Sequence, residues 1–227
     1  MADGDVDMEL DVEPVTIGLV ALQGAYREHL AMFSRIPGVI VKEVRLPEHL
    51  EGCDGIVIPG GESTVIGRLA ESSGLLAPLR AWTTGNRPTW GTCAGMIMMA
   101  DRIEGASPQR QELLGGLHCT VRRNYFGSQL GSFTQDLSIG DSGGPPCSAV
   151  FIRAPAVIEV GEGVQVLSTV QYTPQSKEAV DQTGSRVVVA VQQGNLMGTA
   201  FHPELVPADN RWHQRFVDLV RANKKTA

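Results

Sequence analysis

The sequence predicts a three-layer α/β/α sandwich on a mostly parallel central sheet. Two observations carry that prediction. Up to about residue 100, short apolar runs, the mark of strands buried on both faces, alternate with stretches of helical periodicity. These strands also end in glycine-containing turns that lead into helices, the connection a parallel sheet requires. At 227 residues the chain is long enough for one sizeable core and short for two full domains, so one domain over 15–222 is expected behind a leader of residues 1–14.

The elements follow in order. Thr16 to Leu22 is a continuous apolar run bounded by the leader and Gly24, and it opens the sheet. Tyr26, Leu30 and Phe33 recur at i, i+4, i+7 and mark an amphipathic helix that Pro37-Gly38 stops; Val39 to Val44 returns as a strand. Gly55 to Ile58 is a strand ending in Pro59-Gly60-Gly61, with helical stretches from about Ser63 and about Leu75. Thr89 and Trp90 form a short strand running into Gly91-Thr92-Cys93-Ala94-Gly95, then a helix over Met96 to Ala100 whose methionines read as core. The second half is richer in strands: Leu117–Val121, Ala149–Ile152, Val164–Thr169, Val187–Gln192 and Leu196–Phe201, the last two joined by a tight Gly194-Asn195 turn. Trp212, Phe216, Leu219 and Val220 give a closing helix its apolar face. Ser142 to Cys147 and Tyr172 to Gly184 read as surface loops.

Composition excludes several functions. Residues 1–13 hold six acids and no Lys or Arg, which accounts for the net charge of -6; the other 19 acids balance the 19 basic residues, so nothing advertises nucleic acid. The leader lacks the basic start of a signal peptide and reads as a disordered tail. No apolar run approaches a membrane span. The four cysteines show no C-x-x-C spacing and are expected to be free thiols in a reducing, cytoplasmic compartment. The five histidines have no metal-type pairing, and neither G-x-G-x-x-G nor G-x-x-x-x-G-K occurs, so no metal and no nucleotide or other cofactor is expected.

Three segments carry chemistry. Gly91-Thr92-Cys93-Ala94-Gly95, between a strand and a helix, is a G-x-C-x-G form of the nucleophile elbow, which exposes its central side chain above the sheet near the positive end of a helix. Phe201-His202-Pro203-Glu204 ends a predicted strand, where alternation would put His202 and Glu204 on one side, the His as base and the Glu as its orienting acid. Pro59-Gly60-Gly61-Glu62-Ser63-Thr64 follows another strand; its glycines let backbone N–H groups face a ligand, so Gly61 and Ala94 N–H could form an oxyanion hole.

Cys93 in its elbow followed far downstream by His202-Pro203-Glu204 resembles the class I glutamine amidotransferases. Leu22-Gln23-Gly24-Ala25 with Arg27-Glu28-His29, Pro59 to Thr64, Arg123-Asn124-Tyr125-Phe126-Gly127 and Phe151-Ile152-Arg153-Ala154-Pro155 narrow the resemblance to the glutaminase subunits of pyridoxal 5′-phosphate synthases, over roughly residues 15–222. The resemblance implies a class I glutamine amidotransferase-like fold, a Cys93-His202-Glu204 triad, and glutamine contacts from Gly60, Gly61, Glu62, Arg123, Ile152 and Arg153. Residues 104–112, 142–148 and 173–180 look longer than in compact members.

The expected reaction is hydrolysis of the L-glutamine side-chain amide, with the ammonia passed to a partner synthase that makes pyridoxal 5′-phosphate. A diglycine loop completed only when that partner docks is a further expectation, with Gln23 coupling the two. The alternatives are an amidotransferase subunit of another synthase, such as the imidazole glycerol phosphate one, or a non-catalytic redox-sensing relative that keeps the elbow cysteine.

Overall fold

A computed structural model of the chain describes residues 13–105, 112–127, 132–140, 145–172 and 186–226. The first half is the predicted alternation: β1 (Val15–Val20), α1 (Tyr26–Phe33), β2 (Val39–Val44), β3 (Gly55–Ile58), α2 (Ser63–Ser72), α3 (Leu76–Thr84), β4 (Thr89–Thr92) and α4 (Ala94–Met99). There follow β5 (Ala100–Ile103), β6 (Leu117–Arg122), β7 (Ser132–Leu137), β8 (Cys147–Ile152), β9 (Ala156–Val160), β10 (Gln165–Gln171), β11 (Arg186–Gln193), β12 (Leu196–Thr199) and α5 (Arg211–Thr226).

The main sheet runs β2-β1-β3-β4-β12-β11-β9-β6-β5, with β10 paired to β11. Its first five strands are parallel throughout, including β4 to β12. Antiparallel pairing begins at the β11–β12 hairpin and continues through β9 and β6, while β5 pairs with β6 in parallel. β7 and β8 form a separate antiparallel pair. Strands buried on both faces need helices on both, and alternation along β4 shows the two sides. Trp90 meets Phe33 of α1 and Phe216 of α5 on one face. A Cβ on the next residue, Gly91, would meet Gly95 and Met96 of α4 on the other. The fold is therefore the three-layer sandwich that the sequence predicts.

The differences have local causes. α4 ends one residue earlier than expected, because Ala100 turns extended (φ -64°, ψ 151°) and starts β5. β5, β7 and β9 have no counterpart in the sequence-based expectation. β5 and β7 carry exposed polar residues, among them Asp101, Arg102, Thr134 and Asp136, and β9 gains its identity from pairing with β6 and β11. Cys147 is not a loop residue: it opens β8, is fully buried, and its Sγ accepts from Trp212 Nε1 at 3.2 Å. β12 ends at Thr199, two residues short of Phe201.

The acidic leader lies, for residues 1–12, outside the described residues; at its end Lys224 Nζ donates to Pro14 O at 3.0 Å and lies 3.6 Å from Glu13 Oε1. Of the expected insertions, residues 106–111, 142–144 and 173–180 lie outside them as well. Cys53, Cys93, Cys119 and Cys147 are buried free cysteines. Among the described residues no helix is long and apolar enough to cross a membrane.

Candidate active site

The parallel pairing of β4 with β12 puts two carboxyl ends side by side, Thr92 opposite Thr199. Everything predicted to be catalytic hangs from those two ends. Cys93 leaves β4 with φ 47° and ψ -102°, a region that L residues avoid at a cost of about 1–3 kcal/mol. Its N–H donates to Thr199 O at 2.7 Å, and its carbonyl accepts from Ile97 N at 3.2 Å, so both neighbours hold the turn. The flanking glycines make it possible. A Cβ at Gly95 would stand 2.0 Å from Ile58 O, and one at Gly91 2.5 Å from the Gly95 carbonyl carbon. Without them α4 could not approach β3 and β4 closely enough to present Cys93.

His202 and Glu204 do not meet by strand alternation. Pro203 has no N–H for a ladder, and Pro203–Leu205 form a 3-10 turn instead. Within that turn His202 Nδ1 lies 2.7 Å from Glu204 Oε1, and the Glu204 side chain is fully buried. His202 N donates to Val150 O at 2.8 Å, which anchors the turn on β8. With Nδ1 engaged, the ring's other nitrogen is left for Cys93, to which His202 is hydrogen-bonded. Burial alone would lower the His202 pKa, but the hydrogen bonds to Cys93 and Glu204 and their charges outweigh it and raise it to about 10. Burial likewise pushes Glu204 upward, and the neighbouring His29 and His202 rings hold it below the ordinary carboxylate range nonetheless. The geometry therefore favours a charged His202 on an ionised Glu204.

The diglycine turn closes the site from β3. A Cβ at Gly60 would stand 2.3 Å from His202 Cε1 and 3.3 Å from Cys93 Cβ, so Gly60 is the floor against which the imidazole rests. A Cβ at Gly61 would instead meet Gln23 Oε1 at 2.4 Å. That Gln23 oxygen accepts from Glu62 N at 2.9 Å, and Gly60 O accepts from Ala25 N at 2.9 Å, so the residue 23–25 turn clamps the diglycine turn twice. Glu62 caps α2, its Oε1 accepting from Thr64 Oγ1 at 3.1 Å.

Gly60, Gly61, Glu62, Cys93, Arg123, Ile152, Arg153 and His202 line one cleft of about 680 Å³, within the roughly 300–1,000 Å³ usual for small-molecule sites. Arg123 and Arg153 approach from adjacent loops tied by Tyr125 N donating to Ala154 O at 3.0 Å, and Arg153 has a positive φ of 45°. Glu204 and Ala94 are buried and do not line the cleft; Glu204 sits behind the imidazole and Ala94 is the first residue of α4. An N–H in the first turn of a helix has no intrahelical acceptor, so Ala94 N–H is available to a ligand oxygen in a way a strand N–H is not.

Three residues to which the sequence assigns no role are brought to this site by the fold. Asn124 and Leu205 line the cleft. His29, on the buried side of α1 with Met32 and Phe33, reaches Glu204 from behind. Only its i+3, i+4 relation to those two apolar residues marks it as inward-facing, and such spacing says nothing of what it touches.

Comparison with known proteins agrees with this geometry. The sequence pattern of the SNO glutamine amidotransferase family matches residues 19–222. A pyridoxal 5′-phosphate synthase subunit PdxT of Streptomyces avermitilis is 47% identical over 209 residues, covering 92% of this chain and 95% of the relative. Its counterpart in a Nocardioides species is 49% identical over 205 residues, covering 90% and 96%. A solved structure described as a glutamine amidotransferase superposes with a TM-score of 0.76 at 40% identity, covering 90% of this chain and 98% of that one. A GMP synthase component from Thermoplasma acidophilum, at 16% identity and a TM-score of 0.58 over 95% of this chain and 98% of that one, shares the fold.

Proposed function

Because this chain belongs to the SNO glutamine amidotransferase family, we propose that Cys93, His202 and Glu204 are its catalytic triad. The chain is a glutaminase: it hydrolyses L-glutamine to glutamate and ammonia as the amidotransferase subunit in pyridoxal 5′-phosphate, vitamin B6, synthesis. One observation carries the triad. A cysteine forced onto a strained turn is hydrogen-bonded to a histidine whose far nitrogen lies 2.7 Å from a fully buried carboxylate.

With the proton on His202, Cys93 Sγ attacks the carbon of the substrate's side-chain amide. The C=O bond opens to an oxyanion, which the Gly61 and Ala94 N–H groups receive. His202 passes its proton to the amide nitrogen, the C–N bond breaks, ammonia departs and a thioester remains. His202, now neutral, takes a proton from water; the hydroxide adds to the thioester, and its collapse releases glutamate and returns the sulfur and the charged imidazole. Glu204 remains a carboxylate throughout and keeps Nδ1 protonated. Arg123 and Arg153 are the cations in reach of the substrate's α-carboxylate, with Gly60, Glu62 and Ile152 completing the contacts.

Ammonia freed into neutral water is mostly protonated and no longer nucleophilic, so the product is passed directly to a synthase. We assign that partner as the pyridoxal 5′-phosphate synthase and the location as the cytoplasm, where four free cysteines stay reduced. Because the residue 23–25 turn clamps Gly60 and Glu62, a partner acting on it would reach the oxyanion hole. The test is glutamate release by the chain alone and with the synthase, for wild type and Cys93→Ala. Activity that rises with the synthase and vanishes in the variant is expected; activity that survives Cys93→Ala refutes the nucleophile.

A further inference from the structure

Behind the proposed triad the polar chain continues. Glu204 uses Oε1 for His202, and its Oε2, fully buried, has no full hydrogen bond among the described residues. The nearest donor is His29 Nε2, 3.4 Å from Oε2 and 3.2 Å from Thr92 Oγ1, on a side chain with no exposure at all. His29 Nδ1 in turn lies 3.0 Å from His213 Nε2 of α5, and His213 Nδ1 is buried without a partner among the described residues. Phe33 and Trp90 pack against both imidazoles, which leaves neither ring free to turn.

This arrangement allows one tautomer. Burial lowers the pKa of each ring to about 3, in His29 against the opposing pull of Glu204, so both are neutral and each carries one proton. Suppose His29 held its proton on Nδ1. Its Nε2 lone pair would then face the Glu204 carboxylate, and His213 would have to bury an N–H on Nδ1 with no acceptor, at a cost comparable to a lost hydrogen bond. With the protons on both Nε2 atoms neither fault arises: His213 donates to His29 Nδ1, and His29 turns its N–H toward Glu204 Oε2 and Thr92 Oγ1. The only group left over is the bare Nδ1 lone pair of His213.

We propose that His29 is a positioning residue for glutamine hydrolysis: it holds Glu204 by Oε2 so that Oε1 stays on His202, and His213 fixes the tautomer in which it does so. The inference rests on the glutaminase reading above. A carboxylate gripped at one oxygen can pivot about that contact; gripped at both, it fixes the plane of the His202 ring. Thr92, the residue before Cys93, shares the same His29 N–H, so one histidine ties the strand end bearing the nucleophile to the acid that orients its base.

The test is steady-state glutamate release by the assembled complex of this chain with its synthase, comparing His29→Leu, His29→Gln and His213→Leu with wild type below their melting temperatures. His29→Leu removes the donor, and the expected result is a fall in kcat of at least tenfold with the glutamine KM within twofold. His29→Gln restores an N–H at similar reach and should recover kcat to within about threefold of wild type. His213→Leu, which frees the tautomer, should lower kcat at least threefold, again without moving KM. A packing role alone would shift the melting temperature and leave kcat alone. The proposal is overturned if His29→Leu keeps kcat within twofold, if the loss falls on KM, or if Gln rescues no better than Leu. Should His29→Leu fail to fold, His213→Leu against His29→Gln decides on the same criteria.

Failure of the underlying reading looks different: wild type would release no glutamate, or Cys93→Ala would retain it. In that event the rate at which iodoacetamide alkylates Cys93 serves instead. Slower reaction in His29→Leu, recovered in His29→Gln, upholds the coupling, and equal rates overturn it.

Discussion

Replacing Gly60 by alanine tests the site at its tightest point. The new Cβ would lie 2.3 Å from His202 Cε1 and 2.8 Å from Nδ1. Carbon atoms in contact prefer about 3.5–4.0 Å, so roughly 1.2 Å must be found. The backbone offers no other objection, because Gly60 is not in the left-handed region. Nor can the loop retreat easily: Gly60 O is held by Ala25 N at 2.9 Å, and Gly24 packs directly on that oxygen. The imidazole must therefore move by about 1 Å, away from a Glu204 contact of 2.7 Å or from Cys93. A misplacement of that size costs on the order of 10²-fold in rate, about 2.7 kcal/mol of transition-state stabilisation. Overpacking should also cost about 1–3 kcal/mol of stability, partly offset by about 0.4–1 kcal/mol from a stiffer unfolded chain. The assay is kcat and KM for glutamate release by the complex, with a thermal melt alongside. A kcat within threefold of wild type would refute the claim that Gly60 is the floor for His202.

Other perturbations probe different parts of the site. Cys93→Gly should abolish glutamate release yet raise stability by about 1 kcal/mol, since relief of roughly 1–3 kcal/mol of backbone strain exceeds the ~0.5–1 kcal/mol glycine entropy cost; a lower urea midpoint than Cys93→Ala would contradict the strain assignment. His29 and His213, lowered to about 3 by burial, stabilise the fold above their unfolded value of 6.5, and that contribution is lost as pH falls from 6.5 toward 3. The slope should approach about 1.4 kcal/mol per pH unit for each. His202, raised to about 10, acts with opposite sign: its contribution is full below 6.5 and is lost as pH rises to 10. Urea midpoints measured from pH 4 to 10 should therefore peak near neutrality, and a curve flat from pH 6 to 4 would argue against a neutral buried histidine pair. Arg153→Ala and Arg123→Ala should raise the glutamine KM about 10–100-fold, the range for losing a charged hydrogen bond, with a smaller change in kcat; unchanged KM in both would remove the arginines from the substrate site.

The sequence by itself determined the parallel half of the sheet and the identity of the nucleophile. Continuous apolar runs such as Thr16 to Leu22 can be satisfied only between two helical layers, and G-x-C-x-G can turn sharply only where both flanking residues lack a Cβ. It also placed His202 and Glu204 together, although for a reason the structure replaces: a 3-10 turn imposed by Pro203, not strand alternation. What it could not determine depends on neighbours distant in sequence. β5, β7 and β9 are strands because of what they pair with, and their own residues state little preference. His29 and His213, 184 residues apart, acquire a role only when α1 and α5 pack on one face of the sheet and bring their ring nitrogens to 3.0 Å behind Glu204. A side chain's chemistry is written in its type, but a tautomer or an orienting contact depends on which groups exclude water around it, and only the folded chain decides that.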